Sequence, residues 1–285
     1  MLHDRSLIQV GLLKLYMLRT KNLQDVYKNF PVMQADSGSL KHHDFNKPDF
    51  ESMTTFMLIE AERFWAATLL QLLSAKELEK VWFHTWSDVT LYYANFFSMN
   101  ALMRLAGRSV TFSNTDNKTY KVKRTLPNQR IYEIAPSNSD HKQQWNWYYD
   151  LIKGDITDDA LLREIFDIQI EFGHDERQVR QMLNYDLELG FDERHYNYDE
   201  VGETGHGDLS LFPFQDTTTA LGRDEYMELA TIVYCWKHTK SLLDQIAKET
   251  EFKHYWKIQI NKLQHFVANA PLIPELKEWA IQELN

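Results

Sequence analysis

The feature that most constrains this chain is a stripe of large side chains in a stretch without a breaker. Between residues 82 and 103, Trp82, Trp86, Val89, Tyr93, Phe96, Asn100 and Met103 recur at alternating steps of four and three. That rhythm places all seven on one side of an α-helix and calls for packing along its whole length. The helix is expected to start near Trp82 and to stop at Ala106-Gly107, because glycine suits the position just past a helix end. Asn100, the polar member of the stripe, is expected to satisfy a neighbouring backbone group or to set packing register.

The same rhythm recurs elsewhere. It predicts a first helix over about 5–28, then an irregular connector from Pro31 to Asp49 broken by Ser37-Gly38-Ser39 and Pro48. A long helix over 56–80 precedes the striped one. Further helices are expected over 141–153, over 157–172 on the stripe Leu161, Ile165, Ile168 and Phe172 with Gly173 as its stop, and over 176–185. The segment 190–218, with Gly190, Gly202, Gly205 and Gly207 among acidic residues, reads as a surface loop. Helices resume over 223–249 and 252–270, the latter on Trp256, Ile260, Leu263 and Val267. After Pro271 a last short helix opens at Pro274.

Between 108 and 135 the pattern changes. Ser109–Phe112, Thr119–Arg124 and Arg130–Ile134 alternate or are rich in β-branched and aromatic residues, and Asn114-Thr115-Asp116-Asn117 is a plausible turn. The expected fold is therefore all-α, a helical bundle with a small β-hairpin or three-stranded insertion at about 108–135. Residues 1–50 form an N-terminal helix and connector, and 51–285 form the helical domain. Only ten Gly and seven Pro in 285 residues fit that class, and 13% aromatic residues supply a large core.

Several functions are excluded at this level. With one cysteine, Cys235 in an apolar run, no internal disulfide or CxxC site exists, and Cys235 reads as a small buried hydrophobe. Lys14 interrupts the apolar run Leu7–Met17, no small-residue cleavage site follows, and no run of 18 apolar residues occurs. The expectation is a cytoplasmic protein with no membrane association. There is no HExxH, HxxxH or DxD pattern, no GxSxG elbow, no GxGxxG and no Walker loop, so neither a metal nor a cofactor is expected. His42-His43-Asp44 in the connector, and His254 and His265 eleven residues apart, are too sparse for a metal site. Glu60 and Glu62, two apart on a helix, face different ways and make no carboxylate pair. A net charge of −10 rules out a surface basic throughout, but anion binding depends on where charges sit, so a local basic cleft stays open.

One segment stands out for chemistry. In 174–185, Asp175 and Gln178 match a capping box, which would start a helix at Glu176 and put Arg177, Arg180 and Asn184 on one face at i, i+3 and i+7. Two guanidinium groups on one helix end offer forked donors and permanent charge to a phosphate. The competing reading is a solvated face with Glu176 and Arg180 as a weak i, i+4 pair.

The stretches TWSDVTLYYANFFSMNALMRLAG (85–107) and RQVRQMLNYD (177–186) together resemble the HEPN family, over roughly residues 56–200. The resemblance implies a helical bundle, a homodimer, and engagement of RNA in a bacterial defence or toxin–antitoxin system. It also implies metal-independent RNA cleavage, in which the 2′-hydroxyl attacks the adjacent phosphate while an arginine steadies charge and a histidine four to six residues further on moves the proton. Carried over, Arg177 takes the arginine position and Asn184 the histidine position; Arg180 with Asn184-Tyr185 is a second alignment. The departure is chemical. None of the twelve arginines is followed by a histidine at that spacing, and an asparagine side chain exchanges no proton near neutral pH. His174 and His195, which flank the motif, are the candidate bases. The alternative reading is a catalytically silent scaffold or regulatory subunit that binds a protein partner from the same operon.

Overall fold

The striped segment forms the helix at the centre of the molecule, and the other elements are best placed around it. In the computed structural model the described residues are 41–44, 47–80, 83–113, 118–124, 131–137, 141–156, 160–185, 225–249 and 252–285. The expected helix over 5–28, Trp82, the turn at 114–117 and the loop over 190–218 lie outside them. The described elements are β1 (Lys41–Asp44), α1 (Lys47–Lys80), α2 (His84–Leu105), β2 (Arg108–Ser113), β3 (Lys118–Arg124), β4 (Ile131–Ser137), α3 (His141–Leu151), α4 (Ala160–Tyr185), α5 (Glu225–Glu249), α6 (Phe252–Asn269) and α7 (Pro274–Leu284). A π-helical turn, Ile152–Ile156, extends α3. The fold is predominantly α-helical with one small sheet, as the sequence predicts.

Helix α2 is buried on more than the predicted stripe. Val89, Phe96, Asn100 and Met103 are covered, but so are Tyr92, Asn95, Met99 and Leu102, whereas Trp86 in its first turns is 57% exposed. A helix enclosed by neighbours on several sides has no single buried face, so a stripe understates what it buries. Gly107, at φ 71°, makes the left-handed turn from α2 into β2 that a side chain would resist.

Strands β2, β3 and β4 form an antiparallel meander. Val110 pairs with Lys121 and Val122 with Ile134. The connector supplies a correction: it is not irregular throughout. Lys41–Asp44 adds a fourth strand antiparallel to β4, with His42 opposite Glu133, giving the order β1-β4-β3-β2. Lys-His-His-Asp carries no strand signal of its own; the ladder is dictated by the open edge of β4. Helix α1 then starts at Lys47, not at 56, because Pro48 falls in its first turn, where a missing N–H costs nothing.

The largest correction is α4. Residues 160–185 form one continuous helix, so Gly173 is not a stop and Asp175 with Gln178 is not a cap. The buried line is also one residue away from the predicted stripe. Leu161 is 57% exposed, while Leu162, Phe166, Gln169 and Ile170 are buried. A stripe built from apolar residues alone passes over Gln169 and Gly173, both on the buried side. Gly173 is required for packing. A Cβ there would overlap the Trp145 indole, with two ring carbons at 2.5 Å.

Two cores result. Helices α1, α5, α6 and α7 enclose an indole cluster in which Trp65 and Trp236 stack at 5.3 Å. Each of the two donates its indole N–H to the other's backbone carbonyl, at 3.2 and 3.1 Å. Trp256 meets Trp65 edge-on at 4.9 Å. The second core lies between α2, α3, α4 and α5 and is mixed in polarity. Among the described residues no helix is long and apolar enough to cross a membrane.

Candidate functional site

Arg177, Arg180 and Asn184 belong to the last three turns of α4. Phe166, Gln169, Gly173, Arg177, Arg180 and Asn184 follow one another at steps of 3-4-4-3-4, a single line along the helix. The first three positions of that line are buried in the mixed core. His174 is not outside the helix, as a capping box would place it, but three residues before Arg177 on the same helix, a neighbouring position. Tyr185 closes the helix one position past Asn184 and so falls off the line. His195 lies outside the described residues. The structure therefore places five of the six sequence-derived candidates, His174, Arg177, Arg180, Asn184 and Tyr185, on one short length of helix, the first four of them at neighbouring or aligned positions.

The root of that helix is held by a buried polar knot. Gln169, fully buried, accepts from the Tyr148 hydroxyl and from Cys235 Sγ at 3.3 Å, and its amide donates to Ser98 Oγ. Asn95 Nδ2 donates to the Gln169 carbonyl at 3.0 Å, and Ser98 Oγ to the Asn95 carbonyl at 2.8 Å. Burial pushes the Tyr148 phenol and the Cys235 thiol well above their ordinary values, so both stay protonated donors. Interlocked bonds of this kind fix rotation and axial position more sharply than apolar contacts do. Cys235 is buried, as the sequence predicts, and is a member of this knot.

Asn100 plays a part of the expected kind. Its Nδ2 donates to the Phe96 carbonyl at 2.9 Å, and its Oδ1 accepts from Arg104 at 2.8 Å. Arg104 also bridges to Glu60 at 3.2 Å, donates to the Val110 carbonyl at 3.3 Å, and lies 4.9 Å over the Phe64 ring. That buried arginine ties α1, α2 and β2 together and is occupied structurally. Glu62 faces elsewhere, as its spacing from Glu60 requires. It is buried, accepts from Tyr255 Oη at 3.0 Å, and burial raises it from the ordinary 4.5 to about 7.

Two features escaped sequence reasoning. His141, the first residue of α3, is hydrogen-bonded through Nδ1 to Tyr92 Oη and stacks on Phe96 at 4.4 Å. The tyrosine doublet at 92–93 was visible in the sequence, but nothing in a single helix pattern links it to a residue 49 positions away. The charge carried by the sheet is the second feature. Its strands carry six Lys or Arg, four of them in β3, against two acidic residues, Asp44 and Glu133. The six minus two leave +4 on the strands of a chain whose net charge is −10. Arg108 and Lys121 approach the Trp147 ring of α3 at 5.9 and 5.7 Å, which joins the basic sheet to the helix that begins at His141. Among the described residues no group of three metal-ligating side chains occurs. No family model, curated protein or solved structure matches this chain.

Proposed function

We propose that this chain is an HEPN-like component of a bacterial defence or toxin–antitoxin system that engages RNA through Arg177 and Arg180 and cuts it without a metal. The observation that carries the reading is the continuity of α4. One line of positions runs from the buried, hydrogen-bonded Gln169 to Arg177, Arg180 and Asn184, so the two arginines belong to an anchored helix and not to a detached short one. Charges held on a rigid element bind a phosphate at lower entropic cost than the same charges on a loop. The basic sheet beside α3 provides the local positive region that the acidic whole lacks. The homodimer belongs to this proposal through the family resemblance.

The test is binding and cleavage of tRNA and a structured mRNA in EDTA, comparing wild type with the double variant Arg177→Ala, Arg180→Ala. Wild type should bind and cut. The double variant should lose binding at least about tenfold, since each phosphate-contacting guanidinium contributes on the order of 1 kcal/mol or more. Folded wild type that binds no RNA ends the reading.

A second reading, a catalytically silent scaffold for a protein partner, has its own observation. Phe83 and Trp86 are each 57% exposed at the start of α2, an aromatic pair of the kind enriched at protein interfaces. It predicts that Phe83→Ser with Trp86→Ser abolishes association with the operon partner and leaves the chain's own unfolding midpoint unchanged.

A further inference from the structure

We propose that a trough on α5, edged by the end of α7, binds a sugar that carries a phosphate at each end. The site shares no residue with the arginine-bearing segment of α4, so it stands or falls apart from the RNA reading above.

The trough encloses about 450 Å³, and six of its wall residues come from α5. Lys237, Lys240, Ser241, Asp244, Gln245 and Lys248 fall at i, i+3, i+4, i+7, i+8 and i+11, which is one face of the helix. Glu283, in the last turn of α7, adds a second carboxylate. Such a volume suits a small molecule, yet small-molecule sites are mostly apolar and aromatic inside. The described wall of this one contains no apolar side chain. An acyl chain or a flat ring has nothing to pack on there, and a ligand built of charged and hydroxyl groups is what fits.

The cations occupy two ends. Lys237 bridges to Glu283 at 2.6 Å, and Lys240 to Asp244 at 3.2 Å. Asp244 is fixed in turn, because its other oxygen accepts from the Trp256 indole at 2.6 Å. Lys240, with 17% of its side chain exposed, is therefore held in place from two sides. An ammonium group has three N–H donors, and each of these two lysines spends one on a carboxylate. The others are left for a phosphate. Lys248 lies eight residues beyond Lys240, about 12 Å along the helix axis. It is exposed and has no ion pair among the described residues. One phosphate thus belongs beside Lys237 and Lys240, the other beside Lys248. Between them stand Ser241 and Gln245, whose hydroxyl and amide both donate and accept, as sugar hydroxyls require. A free sugar bisphosphate has this chemistry, and so does the ribose between two phosphates of an RNA strand.

The test is calorimetric titration of the full chain in a phosphate-free buffer. The probes are fructose phosphorylated at both terminal carbons, fructose phosphorylated at one, and fructose itself. The bisphosphate should bind saturably and about tenfold or more tighter than the monophosphate, and free fructose should not bind. Lys248→Gln should bring the bisphosphate down to the affinity of the monophosphate and leave the unfolding midpoint unchanged, since Lys248 holds no ion pair. Ser241→Ala with Gln245→Ala should weaken both sugar phosphates several-fold. An RNA oligonucleotide that displaces the bisphosphate from wild type supports the site with a strand as its ligand; one that does not displace it supports the free sugar. Equal affinity for the two phosphorylated probes, unchanged affinity in Lys248→Gln, or no binding at all overturns the proposal. Loss of bisphosphate binding in the Arg177→Ala, Arg180→Ala variant moves the ligand to α4 and overturns it equally. A trough that binds nothing leaves RNA engagement by Arg177 and Arg180 standing.

Discussion

Around Trp65 and Trp236 the interior is held by rings that stack and share reciprocal indole hydrogen bonds, whereas around Gln169 it is held by side-chain amides, hydroxyls and a thiol. Both regions are fully buried, and both are built on long helices. Their tolerance differs. Rings contribute large apolar area with soft directional demands, so the aromatic core mainly holds the fold together. Amide networks contribute little net stability but fail sharply when one partner is lost, and they fix where a helix sits. The polar core lies directly behind the helix that carries Arg177 and Arg180, and the aromatic core does not. Stability and positioning are thus assigned to two sides of α5, where Cys235 joins the polar knot and Trp236 the indole stack.

The largest effect should come from the aromatic side. Trp236→Ala removes a fully buried indole together with its stack on Trp65, and should cost about 3–5 kcal/mol in urea unfolding. At a temperature where the variant stays folded, RNA affinity should match wild type. A change in affinity at full foldedness would break the division between the two cores.

The next effect sharpens the comparison with pH. Glu62, at the α1–α6 contact of the aromatic core, is the buried carboxyl that burial raises to about 7 from 4.5. The unfolded chain ionises it first. Below 4.5 both states hold the proton and nothing is lost; between 4.5 and 7 the unfolded state gains its charge freely while the folded state resists. Stability therefore falls as pH rises through this window, by on the order of 3 kcal/mol at its upper end. Glu62→Gln keeps an acceptor for Tyr255 and cannot ionise. It should match wild type near pH 4.5 and exceed it at pH 8. Parallel stability curves for the two proteins across this window would show that Glu62 is ordinary, and the aromatic core would then hold no titrating weakness.

How much of this was legible in the sequence follows the same division. The helices of the aromatic core and the small sheet were legible, because periodic large side chains and alternating β-branched ones report directly on burial. Trp256, Leu263 and Val267 are buried at the spacing that predicts it. The mixed core was read with errors of a single physical kind. Gln169 and Gly173 are buried for reasons that pair them with Tyr148 and Trp145, and apolar periodicity gives neither residue any weight. Hence the stripe on α4 was displaced by one residue, the helix was cut at Gly173, and His174 was set outside it. The candidate arginines were found from local spacing, which needs no tertiary knowledge. The contact of His141 with Tyr92 and Phe96 was not, because it depends on the packing of α3 against α2.

The smallest effect probes that blind spot directly. Gly173→Ala should gain about 1 kcal/mol from helix propensity, but its methyl must displace the fully buried Trp145 indole, and overpacking costs about 1–3 kcal/mol. The net expectation is a loss of about 1 kcal/mol, read from unfolding midpoints. Trp145→Phe frees space on that side of α3, so Gly173→Ala made in that background should become neutral or stabilising. The coupling, the double-variant change minus the sum of the single changes, should exceed about 1 kcal/mol in the stabilising direction. Additive behaviour would mean that α3 and α4 do not meet at Gly173.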